Sequence, residues 1–151
     1  GFQVMNIGRS FDEYRNRLLL RMKREMDVTD FSWESPDTTL EFSRTPQGWM
    51  LGAEALDSME VEDYLNIFRN VSGETFADDF DELRSDEYFY RKLSIRGKNI
   101  PEPLVITFFR DTLGKQPYVI RSSQNPRSFF YSDSSGLYKR LAPGWESWSR
   151  Q

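Results

Sequence analysis

Apolar residues return at steps of three and four after Ser10: Phe11, Tyr14, Leu18, Met22 and Met26 fall on one face, and Ser10 with Glu13 forms a capping box. This spacing predicts an amphipathic helix over residues 10–26. In the stretch Asp27 to Glu34, the positions of Val28, Phe31 and Trp33 predict a strand with one irregular step, and Ser35-Pro36-Asp37 turns the chain. Leu40 and Phe42 then alternate with Thr39, Glu41 and Ser43, and Trp49 and Leu51 follow across Thr45-Pro46-Gln47-Gly48, the pattern of a β-hairpin. Asp57 or Ser58 caps a second helix, in which Val61, Tyr64, Leu65, Phe68 and Val71 make one stripe and Gly73 ends it.

The pattern changes after residue 88. Phe89, Leu93 and Ile95 predict a strand that Gly97 and Pro101 terminate. Leu104 to Phe109 is apolar on both faces, as a central strand is. Turn signals at 111–114, 125–126 and 133–136 separate Tyr118-Val119-Ile120, Phe129-Phe130-Tyr131 and Leu137 to Leu141, which predicts a closing antiparallel meander with sequential pairing. The expected fold is a single α+β domain over 1–151: a mainly antiparallel sheet with a C-terminal β-meander, covered by two amphipathic helices. Its parts are helix, hairpin and second helix over 10–73, a strand-rich half over 88–141, and a tail over 142–151.

Composition narrows the chemistry. With neither histidine nor cysteine, the chain has no Ser-His-Asp or Cys-His catalytic set, no imidazole or thiolate metal site and no disulfide. The isolated glycines make no phosphate-binding loop. Lack of cysteine fits a reducing cytoplasm and an envelope protein equally. No apolar run approaches the roughly 20 residues of a membrane helix, so neither a span nor a signal peptide is expected, and membrane attachment only through a tether outside these residues. Basic residues line the other sides of the 10–26 pattern, but Asp12, Glu13 and Glu25 dilute them, which favours a solvated face over a membrane surface.

Charge is laid down in blocks. Residues 27–87 hold 17 acidic and three basic groups, and residues 88–151 hold four acidic and eleven basic ones. This predicts that the acidic segment 74–87 faces the basic C-terminal half, either within one chain or across a dimer. Six carboxylates between Asp78 and Glu87 suggest a calcium loop, but the glycine and the alternating ligand spacing such a loop needs are missing, and a solvated segment is expected instead. Aromatic residues form 15% of the chain. Arg127 to Tyr131 interleaves arginine with rings, as single-stranded nucleic-acid platforms do, yet the acidic balance argues against a nucleic-acid partner. Core packing accounts for most of the rings. In the tail, Pro143 and Gly144 break the preceding segment, so one of Trp145 and Trp148 is expected to dock and the other to stay partly exposed. Tyr131, Trp145 and Trp148 are the candidate contact residues.

The order of Val28-Thr29-Asp30-Phe31, Leu40-Glu41-Phe42, Gln47-Gly48-Trp49, the Val61–Phe68 helix, Ile100-Pro101-Glu102-Pro103, Leu104 to Phe109 and Tyr118-Val119 resembles a bacterial domain-of-unknown-function family. The resemblance covers residues 28–141. Members are mostly envelope-associated, as lipoproteins or by one membrane span, and some are encoded beside ABC-type transport components linked to gliding motility. It implies a periplasmic or surface-exposed location, a protein partner in the envelope, and no assigned catalytic residues. The expected function is therefore a non-catalytic envelope domain mediating protein–protein contacts, accessory to a transport or surface assembly, with no cofactor and no metal. The alternatives are a glycan-binding module and, third, a hydrolase that works with carboxylates alone.

Overall fold

The computed structural model describes residues 16–113 and 115–149. Within them the first half runs β1 (Leu18–Leu20), β2 (Asp27–Glu34), β3 (Thr39–Thr45), β4 (Gly48–Leu51), β5 (Glu54–Ala55) and helix α1 (Ser58–Asn66) with a 3-10 turn over Ile67–Arg69. The short strands β6 (Val71–Ser72) and β7 (Thr75–Phe76) lead to a 3-10 turn at Glu82–Arg84 and helix α2 (Ser85–Tyr88). The second half is β8 (Phe89–Lys98), β9 (Leu104–Arg110), β10 (Tyr118–Ser122), β11 (Asn125–Ser132), helix α3 (Leu137–Leu141) and a 3-10 turn at Trp145–Trp148.

Nine strands form one sheet in the order β5-β4-β3-β2-β8-β9-β10-β11-β7, with every neighbouring pair antiparallel. The protein is thus a mainly antiparallel α+β fold. Two meanders, β2–β5 and β8–β11, meet where β2 pairs with β8, from Asp27 opposite Lys98 to Glu34 opposite Lys92. A bulge between Val28 and Asp30 interrupts that register, which is the irregular step in the sequence pattern.

One face of the sheet carries the main core. Phe42, Phe31, Ile95, Leu93, Ile106, Phe108, Ile120 and Phe130 point into it and are fully buried. Phe31 stacks on Phe42 with centroids 4.5 Å apart and also meets Trp49 and Tyr64. Asp57 caps α1 by accepting from the amides of Met59 and Glu60, and the helix lays Val61, Tyr64 and Leu65 on this face. Its stripe ends sooner than the spacing implies: Phe68 packs from the 3-10 turn, and Val71 leaves to pair with Leu20.

Two expected elements are replaced. Residues 10–15 of the predicted first helix lie outside the described residues. Over 16–26 no helix forms: β1 pairs antiparallel to β6, and a turn at Arg24–Glu25, closed by the Met26 amide on the Lys23 carbonyl, leads into β2. Leu19 and Leu20, side by side in sequence, are both fully buried, which a narrow helical stripe does not permit. Polar partners distant in sequence take up the backbone: Gln124 accepts from the Arg21 amide and donates to its carbonyl, and the Met22 amide donates to the Phe68 carbonyl. The expected last strand, Leu137–Leu141, is the helix α3; Leu137 and Leu141 stand one turn apart and are buried, while Lys139 and Arg140 face solvent.

Gly97 lies opposite the bulge, where a Cβ would come 2.0 Å from the Asp27 carbonyl oxygen. Backbone on both strands would have to part. Gly97→Ala is expected to destabilise the fold by about 3 kcal/mol, near the upper end of overpacking costs, whereas Gly144→Ala should change it by under about 1 kcal/mol. Equilibrium denaturation of the two variants checks this, and equal stabilities would mean that the β2–β8 approach is looser in solution.

Candidate functional site

The reverse face of the sheet changes character from one side to the other. Across β3, β2 and β8 it is polar: Asp30 pairs with Arg96 at 2.6 Å and Glu34 with Lys92 at 3.2 Å, flanking the facing residues Ser32 and Ser94. Across β9, β10 and β11 it becomes apolar, with Phe109, Val119, Phe129 and Tyr131 forming a second, smaller core. That patch needs cover. The segment 77–88 supplies it, with Ala77 bonded to β11 through its amide and the Phe129 carbonyl, and with Phe80 set 5.1 Å from Phe109 and 5.2 Å from Phe129.

Phe80 therefore decides where the acidic stretch sits. Beside it opens a cavity of about 240 Å³, walled by Phe80, Tyr88, Val119 and Tyr131 and edged by Asp79, Asp81 and Asp111. Asp81 accepts from the Leu83 amide at 3.2 Å, and Asp111 accepts in the same way from the Leu113 amide at 3.0 Å. The Asp111 amide donates to the Pro117 carbonyl and closes the β9–β10 turn. Arg84, also at the cavity, is bonded through two nitrogens to Glu87.

Tyr131, one of the three candidate residues, stands at this cavity. Its ring is buried in the second core, and its hydroxyl donates a short hydrogen bond to the Asp79 carboxylate. Burial first, then Asp79, pushes the Tyr131 pKa up to about 12, and the same hydrogen bond holds Asp79 below the ordinary aspartate value. The pair is thus fixed as neutral phenol and anionic carboxylate over a wide pH range. Among the described residues no group of three or more acidic side chains is placed to hold a metal ion, so the three aspartates line one space without converging on a point.

The two tryptophans lie elsewhere. Trp148 is 6% exposed and packs between Phe42 and Tyr64 at 6.0 and 5.0 Å, and its carbonyl accepts from the Asp57 amide. Trp145 is half-buried against the edge of the same core. The tail docks by one ring and leaves the other partly open, and neither is near the cavity lined by Tyr131. The sequence pattern missed Asp79 as the partner of Tyr131, because residues 52 apart carry no local signal. Of the expected pairing between segment 74–87 and the basic half, Glu82 reaches Arg121 at 3.9 Å and Lys115 acts on Asp79; the closer acid–base pairs of the two blocks join β2 to β8. No protein-family model matches the sequence, and neither a curated protein nor a solved structure matches it.

Two outcomes follow from these contacts. Tyr131→Phe removes the donor to Asp79, so the Asp79 carboxyl should titrate closer to 3.8 in a carboxyl-carbon NMR titration. The contribution of the pair is complete between the ordinary values of 3.8 and 10.0; it is lost as pH falls through the lowered Asp79 pKa and as pH rises through the raised Tyr131 pKa. An unchanged Asp79 titration would show that the bond does not persist. Trp148→Ala should cost about 3–5 kcal/mol in urea denaturation and Trp145→Ala less than about half of that; the reverse order would place the wrong ring in the core.

Proposed function

We propose that this chain is a non-catalytic domain that mediates protein–protein contact, situated in the cell envelope as the resemblance of residues 28–141 implies, and accessory to a transport or surface assembly there. The observation that carries the contact reading is the pair Leu83 and Leu113, which are 98% and 96% exposed. Single exposed leucines are ordinary. These two belong to separate turns, yet Leu83 lies between the cavity residues Asp81 and Arg84, and Leu113 between Asp111 and Gln116. The amide of each donates to the cavity aspartate two residues before it. Exposed apolar side chains in the two turns that supply aspartates to one cavity suit a surface that a partner covers.

The alternatives fit less well. A hydrolase built on carboxylates needs one acid kept protonated near neutral pH. Asp79, the acid bonded to the Tyr131 hydroxyl at the cavity, is shifted the other way. A glycan module uses open aromatic faces, whereas Trp148 and Tyr131 are buried and Trp145 alone of the three is partly open.

Photo-crosslinking in the native host tests the reading. A benzophenone side chain placed at Leu83 or at Leu113 should give the same discrete protein adduct in the envelope fraction. The same group at Met59, which is 77% exposed on α1, should give none. Adducts from Met59 alone, or from none of the three positions, would overturn the proposal.

A further inference from the structure

We propose that the cavity beside Phe80 receives a lysine or arginine side chain of the partner protein, while Leu83 and Leu113 meet apolar residues on either side of that cation. This rests on the contact reading above and names the chemistry of the partner segment.

The edge of the cavity carries three carboxylates, Asp79, Asp81 and Asp111, against one guanidinium, Arg84. Arg84 is already bonded to Glu87 through two nitrogens, so it does little to offset them. Lys115 acts on Asp79 from an exposed position outside the cavity lining. Each of Asp81 and Asp111 spends one oxygen, Oδ1, on a leucine amide. Burial is the first cause of the raised Tyr131 pKa, and the negative charges of Asp79, Asp111 and Asp78 add to it.

The walls define the rest of the occupant. Phe80 and Tyr88 are half-buried rings with centroids 5.8 Å apart. Aromatic faces beside carboxylates suit a methylene stem that ends in a cation. A compact metal ion is poorly matched, because the carboxylates do not converge. At about 240 Å³ the space is smaller than the roughly 300–1,000 Å³ of ordinary small-molecule pockets, and it accommodates one long side chain. The two exposed leucines, in the turns that carry Asp81 and Asp111, then extend the contact beyond that side chain and help to exclude water from the ion pair.

The test is an amide NMR titration of the full chain with three tripeptides blocked at both ends: leucine–lysine–leucine, leucine–glutamine–leucine and leucine–glutamate–leucine. The lysine peptide should shift the amides of Gln116, Val119 and Tyr131 and bind about tenfold more tightly than the glutamine peptide, as one partly desolvated ion pair allows, and added salt should weaken it. The glutamate peptide should not bind. Asp79→Asn with Asp111→Asn should reduce the lysine peptide to the glutamine level. Asp111→Asn alone, which keeps an acceptor for the Leu113 amide, should lose part of the preference at an unchanged melting temperature. Equal affinity for the lysine and glutamine peptides, shifts confined to other residues, or an N-acetylglucosamine trimer moving the same amides would overturn the proposal. If the Leu83 and Leu113 crosslinks form but no lysine preference is seen, the contact surface stands and its cationic occupant falls; if the crosslinks fail, both fall.

Discussion

The pairing of β2 with β8 joins two meanders that are otherwise built from neighbouring strands, and the sheet is continuous only because of it. Each local hairpin closes at little entropic cost, whereas this junction brings residues more than 50 positions apart into register. The two faces of the junction are stabilised in different ways. Inward, Phe31 stands opposite Ile95 and Trp33 opposite Leu93, so the closest strand contact is also the middle of the main core. Outward, Asp30 meets Arg96 and Glu34 meets Lys92, and half-exposed pairs of this kind set register more than they add stability. A slip of one residue would turn Phe31 and Trp33 to water and their acidic neighbours into the core, so both faces select the same alignment.

From that junction the rest of the architecture follows by cover. The inner face is apolar from β4 to β11 and draws on segments far apart in the chain: the β1–β6 ribbon, α1, α3 and the Trp148 turn. Tyr64 binds two of them together, donating from its buried hydroxyl to the Leu141 carbonyl at 2.5 Å while its ring touches Trp148. The outer face is charged near the junction and needs no lid there. Among the described residues it becomes apolar only at β9–β11, and only there does a segment cross it, fastened by Ala77 and Phe80. The cavity is a consequence of that partial cover.

Strand and helix positions were legible in the sequence wherever the apolar period matched one buried face, as in β2, the β3–β4 hairpin, α1 and the β9 run. The first segment failed because Leu18 to Met26 satisfies a helical spacing by coincidence. Its burial is set instead by Gln124, Asn125 and β6, which lie about 50 to 110 residues away and override local preference. Leu137–Leu141 failed for the opposite reason: five residues with apolar ends fit a strand or one helical turn, and the regular turn spacing before them favoured the wrong choice. Of the candidate site, the sequence marked Tyr131 through its aromatic run but could not show Asp79, nor distinguish Leu83 and Leu113 from leucines of the core. The envelope location and the family likeness rest on residue order alone and gain nothing from the fold.

Closely spaced carboxylates repel, and segment 77–88 keeps its place through apolar anchorage and directional contacts beside its ion pairs Arg84–Glu87 and Glu82–Arg121. Phe80 supplies apolar anchorage, Tyr131 lends Asp79 a proton donor, and Asp81 turns its charge toward a backbone amide. Several of these groups also form the wall or edge of the cavity, so the second core and the candidate site share atoms. Removing Phe80 or the Tyr131 ring would uncover Phe109 and Phe129 together with the pocket, and lost binding in such a variant would report lost structure. Charge-neutralising changes that preserve shape and acceptors, such as aspartate to asparagine at the edge, leave the apolar anchor intact. They therefore separate what the pocket attracts from what holds it in place.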